Sequence, residues 1–146
     1  MKLAIGSDHG GLTLKRLLAA RLQELGHDVE DVGTHESTST DYPDYAAQVA
    51  RRVADGRAER GVLVCGTGIG MSIAANKVDG VRAAVVSDTF SARMASAHND
   101  ARILCLGERV VGPSLAVACL EAWLDTDFEG GRHALRVGRI TDLEAG

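Results

Sequence analysis

A chain of 146 residues with 45% hydrophobic and 25% charged residues suits one globular domain with its own core. Its formal net charge of -4 and 3% aromatic content argue against a nucleic-acid partner, which a basic patch and stacking rings would mark. Cys65, Cys105 and Cys119 are an odd set without framework spacing and read as the reduced thiols of a cytoplasmic protein.

The opening residues MKLAIGSDHGG turn polar too early for a signal peptide. Lys2–Gly6 reads as the first strand and Ser7–Gly11 as a loop. Leucines at 14, 18, 22 and 25, with Leu17 beside them, give a helix with one apolar face that Gly26 ends. Val29 and Val32 mark a weaker strand over Asp28–Val32. The polar loop from Gly33 to Asp44 is long for a strand–helix connection, and such loops are often functional. Pro43 fits the first turn of a helix that runs to about Asp55, with Gly56 and Gly61 bracketing a charged connector.

Val62–Cys65 is the third strand, followed by a glycine loop and a helix to about Lys77. The uncharged run 61–76 that contains them is shorter than the roughly 18–20 residues of a membrane span and is broken by glycines, so no membrane partner is expected. Val81–Ser87 is a fourth strand, and Asp88 caps a helix to about Ala97. His98–Asp100 is a polar loop and Arg102–Leu106 a fifth strand. Pro113 begins a helix carrying Leu115, Cys119, Leu120 and Trp123 to about Asp125. A basic helical segment from Arg132 to about Leu143 closes the chain.

Strands alternating with helices predict an α/β, Rossmann-like three-layer sandwich around a doubly wound, largely parallel sheet. No repeat, low-complexity segment or domain boundary interrupts it, so residues 1–146 form a single domain. Right-handed crossovers should bring Asp8-His9, Asp41-Tyr42, Cys65–Gly70, Asp88 and His98-Asn99 together along one sheet edge, where α/β proteins bind ligands.

Several side-chain types on that edge carry chemistry. Gly66, Gly68 and Gly70 let the backbone approach a ligand, and their amides with the following helix can hold an anion or a developing oxyanion. The spacing is a poor dinucleotide fingerprint and lacks the Walker lysine and hydroxyl pair. Cys65 at a strand end is either a small buried hydrophobe or a thiolate activated at a helix start. Cys105 and Cys119 read as core. Thr67 either orients a substrate hydroxyl or bonds its own turn. His9, beside Asp8, and His98 are candidate proton-transfer groups. A metal held by His9, Cys65 and His98 is the weaker reading, because three separate loops without zinc-type spacing would supply it. Arg132, Arg136 and Arg139 fall on one helix face; this is either a solvated stripe or, with Arg109, a set of forks for phosphate. A tail beyond a complete domain can reach a neighbouring subunit. Together these suggest a small phosphorylated, hydroxylated ligand and aldose–ketose isomerisation.

The segments GSDHGG (6–11), TDYPDYA (40–46), CGTGIGMSIAANK (65–77), HND (98–100), GERVVG (107–112) and EGGRHALRV (129–137) resemble the type B ribose-5-phosphate isomerases, within a family that includes galactose-6-phosphate isomerase subunits. The resemblance implies a five-stranded parallel sheet and interconversion of D-ribose 5-phosphate and D-ribulose 5-phosphate, in the pentose phosphate pathway, without metal or coenzyme. It implies that Cys65 shuttles the proton, that His98 opens the furanose ring and that Thr67 assists. Asp8, Tyr42, Gly66, Gly68, Ile69, Gly70 and Asn99 would contact substrate, with His9, Arg109, Arg132 and Arg136 on the phosphate. Arg139 has no family role. One branch of the family carries a glutamate at the position of Met71 and no cysteine; Cys65 and Met71 place this chain with the other branch. The resemblance further implies a homodimer or homotetramer with shared active sites, the segment 127–146 reaching a neighbour. A six-carbon sugar phosphate (allose 6-phosphate or galactose 6-phosphate) and a non-catalytic sugar-phosphate binder are the alternatives.

Overall fold

A computed structural model describes residues 1–145. Its five strands are β1 (Lys2–Ser7), β2 (Asp28–Gly33), β3 (Arg60–Cys65), β4 (Ala83–Val85) and β5 (Ile103–Gly107), all parallel, in the order β2-β1-β3-β5-β4. Six α-helices join and follow them: α1 (Leu12–Glu24), α2 (Tyr42–Ala54), α3 (Ile69–Ala75), α4 (Thr89–Ala97), α5 (Pro113–Leu124) and α6 (Arg132–Asp142). A 3-10 turn at His9–Gly11 precedes α1 and another at Leu143–Ala145 follows α6.

The strand order explains which helix lies on which face. Stepping from β1 out to β2, and from β4 back to β5, the chain moves one way across the sheet. Stepping from β2 to β3 and from β3 to β4 it moves the other way. Right-handed crossovers then put α1 and α4 on one face and α2 and α3 on the other. The two cores follow that division. Leu14, Leu18 and Leu22 of α1, Ala92 and Ala95 of α4, and Leu120 and Trp123 of α5 pack on Leu3, Ile5, Val62 and Leu104. Ala46 and Val49 of α2 and Met71 and Ala75 of α3 pack on Ala4, Leu63, Ile103 and Cys105. Cys105 and Cys119 are buried free thiols, as expected of core residues.

Several boundaries differ from the expectation. Arg60 and Gly61 belong to β3 rather than to a connector. A Cβ on Gly61 would lie 2.5 Å from Val49 Cγ1, so glycine here lets α2 sit close on the sheet. The apolar run 81–87 yields a ladder over Ala83–Val85 alone, because β4 is an edge strand paired only with β5. Helix α3 stops at Ala75. Leu115, Leu17 and Leu25 are exposed rather than part of the apolar faces.

Between β1 and β3 the chain's winding reverses, and in open α/β sheets the crevice outside the carboxyl ends at such a point receives the ligand. The loops after β1 and β3 meet there. Gly11 backs onto Val64, where a Cβ would sit 2.6 Å from the carbonyl carbon, and Gly10 lies against the Gly66 amide.

Candidate active site

Helix α3 begins directly from the end of β3, and the turn between them is built by glycine. Gly68 takes φ +80° as its N-cap. Cys65, almost fully buried, points its sulfur back into the turn, where the Gly68 N–H donates to Sγ at 3.1 Å. Thr67 is exposed, and its Oγ1 accepts the Ile69 N–H at 3.3 Å. Ser72 Oγ closes the first helical turn on the Ile69 carbonyl at 2.7 Å. Behind the turn, a Cβ on Gly107 would stand 2.6 Å from the Thr67 backbone, so the end of β5 presses directly on the loop. Cys105 lies under it on β5, its thiol pushed up first by burial and then by Cys65. It therefore stays protonated, and the sulfur available at the crevice is that of Cys65.

Three further loops surround Cys65. Asp8, buried, accepts the Gly10 N–H at 2.9 Å and fixes the turn that carries His9. His9 is exposed, and its Nδ1 accepts the Thr40 N–H at 3.1 Å, which leaves the neutral ring's proton on Nε2. The loop supplying Thr40 is rooted by Lys15, a fully buried ammonium donating to Asp31 Oδ1 at 2.8 Å and to the Thr34 carbonyl. Tyr42 opens α2 with its ring against Gly70, whose Cβ would lie 2.5 Å from Tyr42 Cε1. Arg109 follows β5: its N–H donates to the Gly66 carbonyl at 3.0 Å, and its side chain lies over Gly66. Asp8, His9, Tyr42, Cys65, Gly66, Thr67, Gly68, Ile69, Gly70 and Arg109 thus gather along one edge of the sheet. Asp88, on the same edge, caps α4 by accepting the Ser91 N–H at 2.6 Å, which holds its carboxyl below the usual range.

His98 and Asn99 are not there. The expectation that they share the edge of Cys65 fails, because they follow a helix rather than a strand. A loop after a helix returns to the amino ends of the strands. His98 is the C-cap of α4, shortly before β5 begins at Ile103, whereas Cys65 pairs with Gly107 at the other end of β5. The four residue steps between those ends span about 13 Å at ~3.3 Å per residue. A metal shared by His9, Cys65 and His98 within one chain fails for the same reason.

Around His98 the amino-end edge holds a second cluster. Its imidazole stacks on that of His133, centroids 4.0 Å apart and planes 9° from parallel. Glu129 Oε1 lies 3.8 Å from His98 Nε2 and 3.5 Å from His133 Nε2. Arg132 Nε approaches His133 Nε2 at 3.4 Å. Burial holds the His133 imidazole below the ordinary histidine range; His98, Arg132 and Arg136 add to the effect and Glu129 opposes it. His133 and Glu129 escaped the sequence reading, although both sit inside the EGGRHALRV segment. Regular spacing drew attention to the arginines, whereas the histidine matters through a stack formed only in the fold. The ligand atoms of His98, Glu129 and His133 lie within 4.8 Å of one another. Parallel rings do not aim two in-plane lone pairs at one ion, and Arg132 and Arg136 stand close by, both of which count against a metal here. Arg132, Arg136 and Arg139 are all exposed on α6, on which only His133 is buried.

The chain is similar to known proteins along nearly its whole length. Residues 3–140 match the model of the Ribose/Galactose Isomerase family. Ribose-5-phosphate isomerase B of Escherichia coli (strain K12) is 51% identical over 143 residues, which cover 98% of this chain and 96% of that protein. The solved structure of Clostridium thermocellum ribose-5-phosphate isomerase B superposes with a TM-score of 0.98 at 54% identity, covering 99% of this chain and 98% of that one. Mycoplasma genitalium ribose-5-phosphate isomerase B, solved with bound ribulose 5-phosphate, gives 0.95 at 40% identity, covering 99% and 96%.

Proposed function

Because the chain belongs to the Ribose/Galactose Isomerase family, we propose that it interconverts D-ribose 5-phosphate and D-ribulose 5-phosphate as an aldose–ketose isomerase. The observation that carries this reading is full-length similarity to ribose-5-phosphate isomerases B combined with a strand-end cysteine whose sulfur sits among the amides of a glycine turn. The reaction belongs to the non-oxidative branch of the pentose phosphate pathway, in the cytoplasm. Among the described residues no helix is long and apolar enough to cross a membrane.

The roles follow from the positions. His98 opens the furanose by transferring protons between the O1 hydroxyl and the ring oxygen, with Thr67 and Asn99 on neighbouring hydroxyls. Cys65 as thiolate takes the proton from C2. The electron pair passes to the carbonyl oxygen and gives an enediolate, held by the amides from Gly66 to Gly70. The thiol returns the proton to C1 while the O2 proton passes to O1, which gives the C2 ketone and the C1 hydroxyl and restores the thiolate, so no electrons are exchanged with any other molecule. A positioned base contributes roughly 10²–10⁴-fold, and oxyanion donors about 10²–10³-fold. Asp8, Tyr42 and Ile69 shape the sugar site, and His9, Arg109, Arg132 and Arg136 hold the phosphate.

Cys65 and His98 serve one substrate only if they come from two copies. Each site is formed by the carboxyl-end crevice of one chain and the His98–Arg136 cluster of its partner. Ile69, Ile73, Val85 and Phe90, 53%, 58%, 42% and 64% exposed, stand around the crevice, and Leu135 of α6 is 74% exposed. Apolar surface of this kind, on both edges, supports a homo-oligomer, at least a dimer, that covers it. A coupled assay of ribose 5-phosphate conversion, run beside allose 6-phosphate and galactose 6-phosphate, tests the assignment. Turnover should be fastest with ribose 5-phosphate; no turnover of any of the three would refute an isomerase. Arg136→Ala should raise KM with little change in kcat, and an unchanged KM would remove Arg136 from the phosphate site.

A further inference from the structure

The turn between α4 and β5 is held by more than its own backbone. Asp100 has φ +46°, the one positive φ outside glycine among the described residues, a conformation that Asp and Asn tolerate and branched residues resist. Arg82, just before β4, reaches this turn with three hydrogen bonds. Its Nε donates to the Asn99 carbonyl at 2.7 Å, and its Nη2 donates to the Asp100 carbonyl at 3.1 Å and to Asp100 Oδ2 at 3.2 Å. Arg102 Nε stands 3.5 Å from Asp100 Oδ1. On the far side, Trp123 Nε1 donates to the Ala101 carbonyl at 2.7 Å. Three consecutive carbonyls, 99 to 101, therefore each accept from a side chain outside the turn. None of these donors belongs to the residues assigned to substrate above.

We propose that Arg82 and Asp100 act as a positioning clamp that sets the direction in which His98 and Asn99 are presented to the partner's crevice. The proposal rests on the reading of His98 as the ring-opening group. The His98 N–H donates to the Met94 carbonyl at 2.9 Å, and the N–H groups of Asp100 and Ala101 still donate back into α4, to Ser96 at 3.3 Å and to Ala95 at 2.9 Å. Beyond His98 the chain reverses through the left-handed Asp100. Asn99 is exposed, and its side chain makes no hydrogen bond among the described residues. The backbone closes the helix end, and the Arg82 guanidinium, whose planar fork satisfies three acceptors together, ties that closed turn to the start of β4 and so fixes where His98 and Asn99 point. A lysine, a single point charge, does not reproduce that. Misplacement of a reacting group by about 1 Å can cost on the order of 10²-fold in rate, so a clamp remote from substrate acts through kcat.

The two directions of the reaction separate a positioning role from a merely structural one. Ribose 5-phosphate is closed through O4 and must be opened. Ribulose 5-phosphate has its C5 hydroxyl esterified, cannot form a furanose and enters already open; the aldose it yields can leave open and close in solution. Forward and reverse kcat and Tm are measured for Arg82→Ala, Arg82→Lys, Asp100→Asn and, as reference, His98→Ala. The clamp predicts that Arg82→Ala and His98→Ala both lose the forward rate at least about tenfold more than the reverse rate, in the range a positioned proton-transfer group supplies. Arg82→Lys should fall between Arg82→Ala and wild type. Asp100→Asn, which keeps the turn conformation and both carbonyls, should stay near wild type; if Arg82→Ala fails to fold, Arg82→Lys carries the test, and equal forward and reverse losses in it would overturn the clamp. Equal losses in both directions for Arg82→Ala, beside an asymmetric His98→Ala, would overturn the clamp alone. Equal losses for His98→Ala would overturn the ring-opening assignment and the clamp with it.

Discussion

Cys65 and Cys105 show how little separates a core thiol from the one we propose as the base. Cys105 lies on the neighbouring strand, two residues short of Gly107, the partner of Cys65. Enclosure keeps it a thiol, while the Gly68 N–H aimed at Sγ singles out Cys65. Cys65→Ala should lower kcat by about 10²–10⁴-fold while calorimetric binding of ribulose 5-phosphate changes little; normal turnover would remove it as the base. His133 gives a prediction in pH. Its imidazole is held below the ordinary value of 6.5, chiefly by burial, so the unfolded chain binds the proton more readily than the native one. Stability should then fall as pH drops through about 6.5 and level off below the native value. His27, depressed by burial and by the terminal ammonium, adds a slope of the same sign. Tm measured from pH 8 to 5 should decline less steeply in His133→Gln than in the wild type; identical slopes would contradict the burial of a neutral His133.

At the scale of elements, the close seat of α2 on β3 depends on the missing side chain at Gly61. Gly61→Ala should cost about 1–3 kcal/mol by overpacking, and less in a Val49→Ala background, where the clashing methyl is gone. Urea denaturation of the four chains measures this, and additive losses would show that the contact is not the cause. The same residue marks where sequence reading reached its limit. Strands β1, β3 and β5 announce themselves as apolar runs, and the helices by their spacing and by Pro43, Asp88 and Pro113. Arg60-Gly61 looks like a loop because its reason for being in a strand lies on α2. The run 81–87 looks like a full strand because its edge position depends on strand order, which local composition does not encode. The crevice was legible because loops after strands share an edge by topology alone. The place of His98 follows from the same topology once α4 is recognised as what precedes it. The stack on His133 required the fold.

For the whole molecule, the parallel sheet separates the chemistry into two halves. The carboxyl ends carry the sulfur, the amide turn, His9 and Arg109. The amino ends carry His98, Asn99 and the arginines of α6. In the two-fold dimer we propose, each chain would give one half to each of two identical sites. Chains carrying Cys65→Ala and His98→Ala, each inactive in forward turnover alone, should therefore complement when mixed. In a mixed dimer one site has lost both groups and the other is fully wild type. With equal amounts and complete exchange, mixed dimers are half of the population, so about a quarter of wild-type activity should return. Mixed dimers demonstrated by mass spectrometry yet lacking activity would contradict a site built from two copies.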